Sequence, residues 1–350
     1  MQVPQTHKAL IYDRPGEVST RLVEVDTPTP GPGQILIKMY NPLRHLPLRP
    51  QPDDQQLGGH EGVGTIAQLG PSCTSSGLTL GARVGIKWIA SACGTCMPCL
   101  SGADGICLNA EVSGYTVPGT FQEYVLAPAH YVTPIPDGLA SEVAAPLLCG
   151  GVTVYSALKK SRAQPGDWVV VVGAGGGLGH LGVQFAGRGM GFRVIGVDVG
   201  NKEAFVRECG AEGFVDVLME GGGERVKEEV LRITGGEGAA AVVVCSASNA
   251  AYGDALGYLR FNGTLVCVGV PGEVKPIAHA YPHLMVGKQL AIVGSTVGNR
   301  REAIETLAMA QRVATTPFRV EKVQNVNTVF EEMKQGKLQG RVVLDLQSCA

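Results

Sequence analysis

The stretch WVVVVGAGGGLG, Trp168 to Gly179, with HLGVQFAGRGMG and FRVIGVD behind it, restricts the fold of this chain more than any other. An apolar β-branched run enters a cluster of glycines, a helical pattern follows, and a second apolar run ends in an acid, Asp198. The order reads strand, tight turn, helix, strand. A turn built of Gly173, Ala174, Gly175, Gly176, Gly177, Leu178 and Gly179 carries few side chains, so its backbone can approach a pyrophosphate. The helix behind it offers free N–H groups and a positive dipole end, and the acid can accept bonds from a ribose.

The usual Gly-x-Gly-x-x-Gly does not fit in register; Ala174-x-Gly176-x-x-Gly179 does. In a chain with 49 glycines a glycine cluster alone is weak evidence for a ligand. The strand before it, the helix after it and Asp198, 19 residues beyond Gly179, together make it a dinucleotide site. Asp198 repels a 2′-phosphate, which favours NAD(H) over NADP(H). Lys202, in the following turn Val199-Gly200-Asn201-Lys202, leaves NADP(H) open.

With 350 residues there is room for two domains and a large core. The 29 basic and 31 acidic residues give a net charge of −2, no field for nucleic acid or an anionic membrane. The start, MQVPQTHKALIYDRPGE, has no apolar core of signal-peptide length, and no apolar run is long enough to span a membrane. The expectation is a cytoplasmic protein acting on a small-molecule substrate. Ten cysteines in that compartment stay reduced, so a dense group of them points to metal before disulfides.

Residues 1–39 alternate in ALIYD, TRLVEVD and ILIKM with turns between, the pattern of antiparallel strands. Tyr40 to Leu57 holds four prolines and reads as an extended loop. His60 and Glu61 then stand among Gly58, Gly59 and Gly62; a His-Glu pair is more often surface decoration, and the glycines weaken that reading. Cys93, Cys96, Cys99 and Cys107 follow as C-x-x-C-x-x-C-x7-C. Four thiolates at that spacing can converge on one tetrahedral zinc and fill its shell, which makes the ion structural. Cys149 opens a helix in PLLCGGVTVYSAL, where a lone cysteine is more often a small buried apolar residue than a ligand. From Trp168 six apolar runs (WVVVVG, RVIGVD, GFVDV, AAAVVVCS, TLVCVGV, QLAIVGS) alternate with helical patterns, giving a doubly wound parallel sheet. The last stretch, from NRREAIETLAMAQR to GRVVLDL, most simply returns to the first domain.

GGHEG, GIKW, the cysteine lobe, LLCGGVTVY, GAGGGLG, GVD, VGSTVGNR and GRVV together resemble the zinc-containing medium-chain alcohol dehydrogenases, most of all their tetrameric microbial branch. The resemblance covers nearly the whole chain. It implies an α/β fold in which a Rossmann doubly wound sheet, 154–295, is inserted in a mainly β, GroES-like catalytic domain, 1–153 and 296–350, with the zinc lobe at 91–108. It implies an NAD(P)-dependent dehydrogenase and a homodimer or homotetramer. By resemblance His60, Glu61 and Cys149 correspond to catalytic-zinc positions, Thr153 to a residue near the nicotinamide and Trp88 to one lining the substrate pocket. Val270 and Ser295 to Val297 would lie along the cofactor, and Arg341 would reach its phosphates.

One block departs from the family. Where the family carries Gly-x-Cys-x-Thr/Ser-Asp, with a zinc-ligating cysteine and a proton-passing hydroxyl, this chain has Tyr40-Asn41-Pro42-Leu43-Arg44-His45-Leu46-Pro47, and no cysteine precedes His60. Two arrangements are open: His45 replaces the cysteine as a zinc ligand, or the ion is absent or weakly held and Arg44 takes the space. Three readings follow. The first is an alcohol dehydrogenase-type oxidoreductase. The second is a zinc-depleted reductase of an activated C=C or C=N bond, or a redox-neutral enzyme, acting on a specialised metabolite; the third is an inactive nucleotide-binding scaffold.

Overall fold

The computed structural model describes residues 2–14, 17, 19–43, 57–73, 77–313 and 318–346, with backbone only at 41–43. The chain forms two compact units, Met1–Cys149 with Asn299–Ala308 and Pro317–Ala350, and Gly150–Gly298 with Met309–Thr316. The expected site residues Arg44 and His45 lie outside the described residues.

In the first unit β1 (Thr6–Tyr12) and β2 (Thr20–Asp26) pair as an antiparallel hairpin. The strands β3 (Gln34–Leu43), β4 (Glu61–Leu69) and β5 (Arg83–Ile86) belong to a five-stranded antiparallel sheet. The short β6 (Ile89–Ser91) and β7 (Glu111–Val112) pair antiparallel and bracket the cysteine lobe. With β8 (Tyr124–Pro128) and β9 (Thr133–Pro134) the sheet runs β8-β3-β4-β5-β9. The ILIKM run is an interior strand of that order, flanked by β8 and β4, and Ile35, Leu36 and Ile37 are all fully buried. The core gathers Ile35, Ile37, Met39, Ile66, Phe121 and Val125 from these strands and loops. Register carries β3 to the edge of the site, since its last residue, Leu43, pairs with Glu61.

The second unit opens with α1 (Gly150–Lys160). Its first strand, β10 (Trp168–Val172), feeds α2 (Gly179–Gln184), which continues into one turn of wider helix over Phe185–Gly189. Five further strands follow: β11 (Arg193–Asp198), β12 (Gly213–Asp216), β13 (Ala239–Val244), β14 (Leu259–Cys267) and β15 (Ala291–Gly294). All six pair in parallel in the order β12-β11-β10-β13-β14-β15. The six apolar runs of the sequence are these six strands. Helices on both faces leave no solvated side, so β13 is buried at every residue. The chain order reverses between β10 and β13, the position where open α/β sheets form a ligand crevice.

Helix α3 (Arg300–Ala310) follows; later β16 (Arg319–Lys322) and β17 (Val342–Asp345), parallel to one another, flank α4 (Val326–Lys334). Val326 and Phe330 of α4 join the core of the first unit, and Leu346 N–H donates to Tyr40 C=O at 3.2 Å. Two crossings differ from the boundaries expected at 153/154 and 295/296. The first falls after Cys149, because α1 is one piece from Gly150 and Val154 packs 3.7 Å from the Cβ position of Gly182 in α2. The second falls after Gly298, because Asn299 and Arg300 are tied to the cysteine lobe. No single described helix is long and apolar enough to cross a membrane.

Candidate active site

His60, Glu61 and Cys149 come together: one donor atom from each lies within 4.8 Å of the others, and all three are buried. Local sequence explains the convergence. Gly59 has φ +88°, and a Cβ there would stand 2.5 Å from Thr120 Oγ1, so only glycine lets the chain pass tightly enough to aim the pair inward. A Cβ on Gly62 would stand 2.4 Å from Met39 Cε and 3.1 Å from Thr120 Cβ, so this glycine also lets the strand pass close. Thr120 Oγ1 donates to the Glu61 carbonyl at 3.2 Å, a clamp with no signal in the sequence. The imidazole of His60 meets Trp88 edge-to-face at 4.7 Å and 89°, and Trp88 meets Tyr115 at 4.9 Å. Trp88 is thus an apolar wall beside the histidine.

Arg341, expected on the cofactor phosphates, lies against Glu61. Its Nη1 donates to both carboxylate oxygens of Glu61, at 3.2 and 3.0 Å, from a side chain only 4% exposed. The guanidinium neutralises Glu61 inside the first unit, where a lone buried carboxylate is costly. Three donors of His, Glu and Cys type are a set that zinc accepts with one position left for water or substrate, so the residues present fit such an ion. The ion pair makes the Glu61 oxygens poorer donors and weakens that set.

In the lobe the four sulfurs of Cys93, Cys96, Cys99 and Cys107 also lie within 4.8 Å of one another. Backbone N–H groups point at them: Cys93 N and Asn109 N at 3.3 Å from Cys107 Sγ, and Cys96 N at 3.4 Å from Cys93 Sγ. Bonds from Thr95, backbone first, hold the Cys93 thiol down to about 5, whereas burial pushes Cys99 up to about 12. Four sulfurs this close, ringed by donors, fit a tetrathiolate zinc with no open position. The lobe is anchored by Asp104, which accepts from Tyr131 Oη and, at 3.2 Å, from Arg300 N–H, while Asn299 Nδ2 donates to Gly102 C=O at 2.9 Å. Beneath Tyr131, Lys87 is fully buried and donates from Nζ to the Tyr131 carbonyl at 2.6 Å; burial first, then Arg300, lowers its pKa to about 7.

The glycine turn of the second unit has the geometry its residues dictate. Gly173 takes φ +80°. A Cβ on Gly179 would fall 2.0 Å from Gly173 O, so this glycine lets α2 sit directly on the turn. Ala174 is buried, with its Cβ 3.0 Å from the Cβ position of Gly196 in β11, which is why a methyl is accepted there. Gly176 N–H donates to Gly173 O at 3.1 Å, and Gly177 and Leu178 complete the approach to α2. Asp198 accepts from Gly175 N and Val199 N, each at 2.8 Å, and pairs with Lys202 Nζ at 3.6 Å.

The remaining expected residues are placed as follows. Thr153 is buried in α1. Ser295 is buried after β15, its Oγ accepting from Lys160 Nζ at 3.1 Å, and Val297 has φ +21°. Val270, expected along the cofactor, is 70% exposed in the loop after β14. Two residues at strand ends were missed. Ser246, just past β13, packs its Cβ 3.2 Å from the Cβ position of Gly173, and its buried Oγ has no hydrogen-bond partner among the described residues. Asp216 ends β12 as Asp198 ends β11, and that repeated signal, an acid closing an apolar run, was present in GFVDV.

Two family models match the chain: the alcohol dehydrogenase GroES-like domain over residues 31–137 and the zinc-binding dehydrogenase over 177–312. The chain is 55% identical to alcohol dehydrogenase 2 of Emericella nidulans over 364 aligned positions, covering 99% of each. Those 364 positions exceed the 350 residues here, so the relative carries residues that this chain lacks. Among solved structures, the alcohol dehydrogenase of Aeropyrum pernix superposes with a TM-score of 0.82 at 29% identity, over 97% of this chain and 99% of that one. Acetophenone reductase from Geotrichum candidum, in complex with NAD, superposes with a TM-score of 0.82 at 24% identity, over 99% and 98%.

The chain belongs to the zinc-type medium-chain alcohol dehydrogenase family. Within that class it is an NAD(P)-dependent oxidoreductase of the alcohol dehydrogenase type, transferring hydride between a nicotinamide and an alcohol or carbonyl carbon.

Proposed function

We propose that the chain interconverts small alcohols and carbonyl compounds with NAD(H) in preference to NADP(H), with one firmly held zinc in the cysteine lobe and a second, weakly held one on His60, Glu61 and Cys149. The observation that carries this reading is the buried convergence of those three donors from two distant parts of the chain. When bound, zinc supplies a Lewis acid toward the substrate oxygen and the nicotinamide supplies the hydride acceptor or donor. The chain's own residues do the rest. Cys149 and His60 hold the electrophile's place, Trp88 fixes the imidazole plane and walls it from water, and Arg341 keeps Glu61 neutralised. Asp198 faces the ribose side of the glycine turn, and its charge disfavours a 2′-phosphate.

The NAD complex of the acetophenone reductase supports a nicotinamide dinucleotide on the same fold. A homodimer or homotetramer is part of the proposal: β15 is the edge of the six-stranded sheet, and Val286, in the short helix Pro282–Lys288 that precedes it, is 76% exposed. A cytoplasmic location is proposed from the nine described cysteines, all free. A second reading, reduction of an activated C=C or C=N bond, is favoured by one observation: no cysteine before His60 completes the usual ligand set.

The test is turnover of a panel of alcohols, aldehydes and enals with either coenzyme. Alcohol oxidation driven by NAD+ supports the proposal. Turnover of enals alone moves the assignment to the second reading, and coenzyme binding without turnover of any substrate leaves a scaffold.

A further inference from the structure

The two acids that close β11 and β12 are direct neighbours: Asp198 and Asp216 pair in the parallel register. Their surroundings differ. Both oxygens of Asp198 are engaged, Oδ2 by Gly175 N and Oδ1 by Val199 N and Lys202 Nζ. Asp216 accepts from Leu218 N on Oδ1 at 2.9 Å, and among the described residues no hydrogen bond reaches its Oδ2. That oxygen faces the loop after Asp198: a Cβ on Gly200 would stand 2.4 Å from it. Gly200 has no positive φ to require glycine, so the carboxylate is what a side chain there would meet and have to displace. Lys202, the cation of this loop, lies with its stem on the glycine turn, Cδ 2.7 Å from the Cβ position of Gly175, and its ammonium is turned to Asp198. The loop therefore presents two carboxylates against one ammonium.

From this geometry we infer that Asp216 is a second determinant of coenzyme choice, its Oδ2 repelling a 2′-phosphate at the ribose end of the site from beneath Gly200. The inference rests on the proposed docking of NAD(H) on the glycine turn and deepens it. A 2′-phosphomonoester carries nearly two negative charges, so a carboxylate one loop away acts on it strongly, while a 2′-hydroxyl has no charge to repel. Replacing Asp198 alone leaves this second charge in place and frees Lys202 only partly. Asp216 touches neither reacting atom; it acts as a specificity residue.

The experiment measures dissociation constants of NADH and NADPH by fluorescence titration for the wild type, Asp216→Asn, Asp198→Ser and the double variant, at low and high salt. Asp216→Ser serves as a second variant whose hydroxyl can still accept the Leu218 N–H. Asp216→Asn is expected to raise NADPH affinity relative to NADH about tenfold at low salt, and the double variant to exceed Asp198→Ser by a similar factor. Both gains shrink at high salt, a response that a purely structural role would not give. An unchanged ratio in both Asp216 variants, with NADH still bound, overturns the inference and leaves the dinucleotide reading standing. A wild type that binds neither coenzyme overturns both.

Discussion

Arg341 and Glu61 stand 280 positions apart in sequence and form a buried ion pair, one Nη1 serving both carboxylate oxygens at 3.2 and 3.0 Å. The pair links the strand that begins at Glu61 to the residue that precedes β17. Removing one partner leaves the other buried and uncompensated, so Arg341→Met is expected to cost about 3–5 kcal/mol. Adding Glu61→Gln to Arg341→Met should recover a large part of that loss. Chemical denaturation of the single and double variants measures both numbers; equal losses in the two would show that the pair is not the source.

Metal content follows from the two donor sets. After dialysis against a mild chelator, one zinc per chain is expected to remain, and Cys107→Ser should remove it together with much of the stability. Elemental analysis of each preparation gives the count. Two firmly retained ions, the second lost in His45→Ala, would overturn the weak-site proposal.

Lys87 gives a pH signature with a definite sign. Its folded pKa, about 7, lies below the 10.5 of the free side chain, so the unfolded chain binds the extra proton between those values. The penalty for carrying that proton is fully present below pH 7 and disappears as pH rises toward 10.5, an effect on the order of 5 kcal/mol at its maximum. The stability of the wild type relative to Lys87→Met should therefore rise between pH 7 and 10. Thermal midpoints of the two proteins across that range test it, and parallel curves would count against it.

Gly179→Ala forces a methyl to 2.0 Å from Gly173 O, a contact that only movement of α2 or of the turn can relieve. Coenzyme affinity is expected to fall at least tenfold, with the thermal midpoint lowered as well. Gly176→Ala, whose Cβ position lies 3.3 Å from Gly173 O, serves as the milder comparison in the same titration.

Much of this was legible beforehand because its signals are local. The six apolar runs became the six parallel strands, since runs apolar on both faces have no other stable use than a covered sheet. The C-x-x-C-x-x-C-x7-C spacing led directly to four converging sulfurs, because a short loop brings near neighbours together whatever the rest of the chain does. The pairing of Arg341 with Glu61 could not be read, because it is set by packing across the whole first unit, and a guanidinium looks the same in sequence whether it faces a phosphate or a buried carboxylate. The clamp of Thr120 on Glu61 depends on two loops meeting, and no spacing encodes it.

The register that sets Leu43 opposite Glu61 has an engineering consequence. Every described rung of the β3–β4 ladder lies at or before Leu43, so exchanging the block that comes next in sequence, Arg44-His45-Leu46-Pro47, alters none of the residues that form those rungs. A variant carrying a Gly-x-Cys-x-Thr block behind Leu43 would return the family's thiol and hydroxyl to that place in the sequence, and a gain in retained zinc and alcohol turnover would turn one missing block into a handle on reactivity.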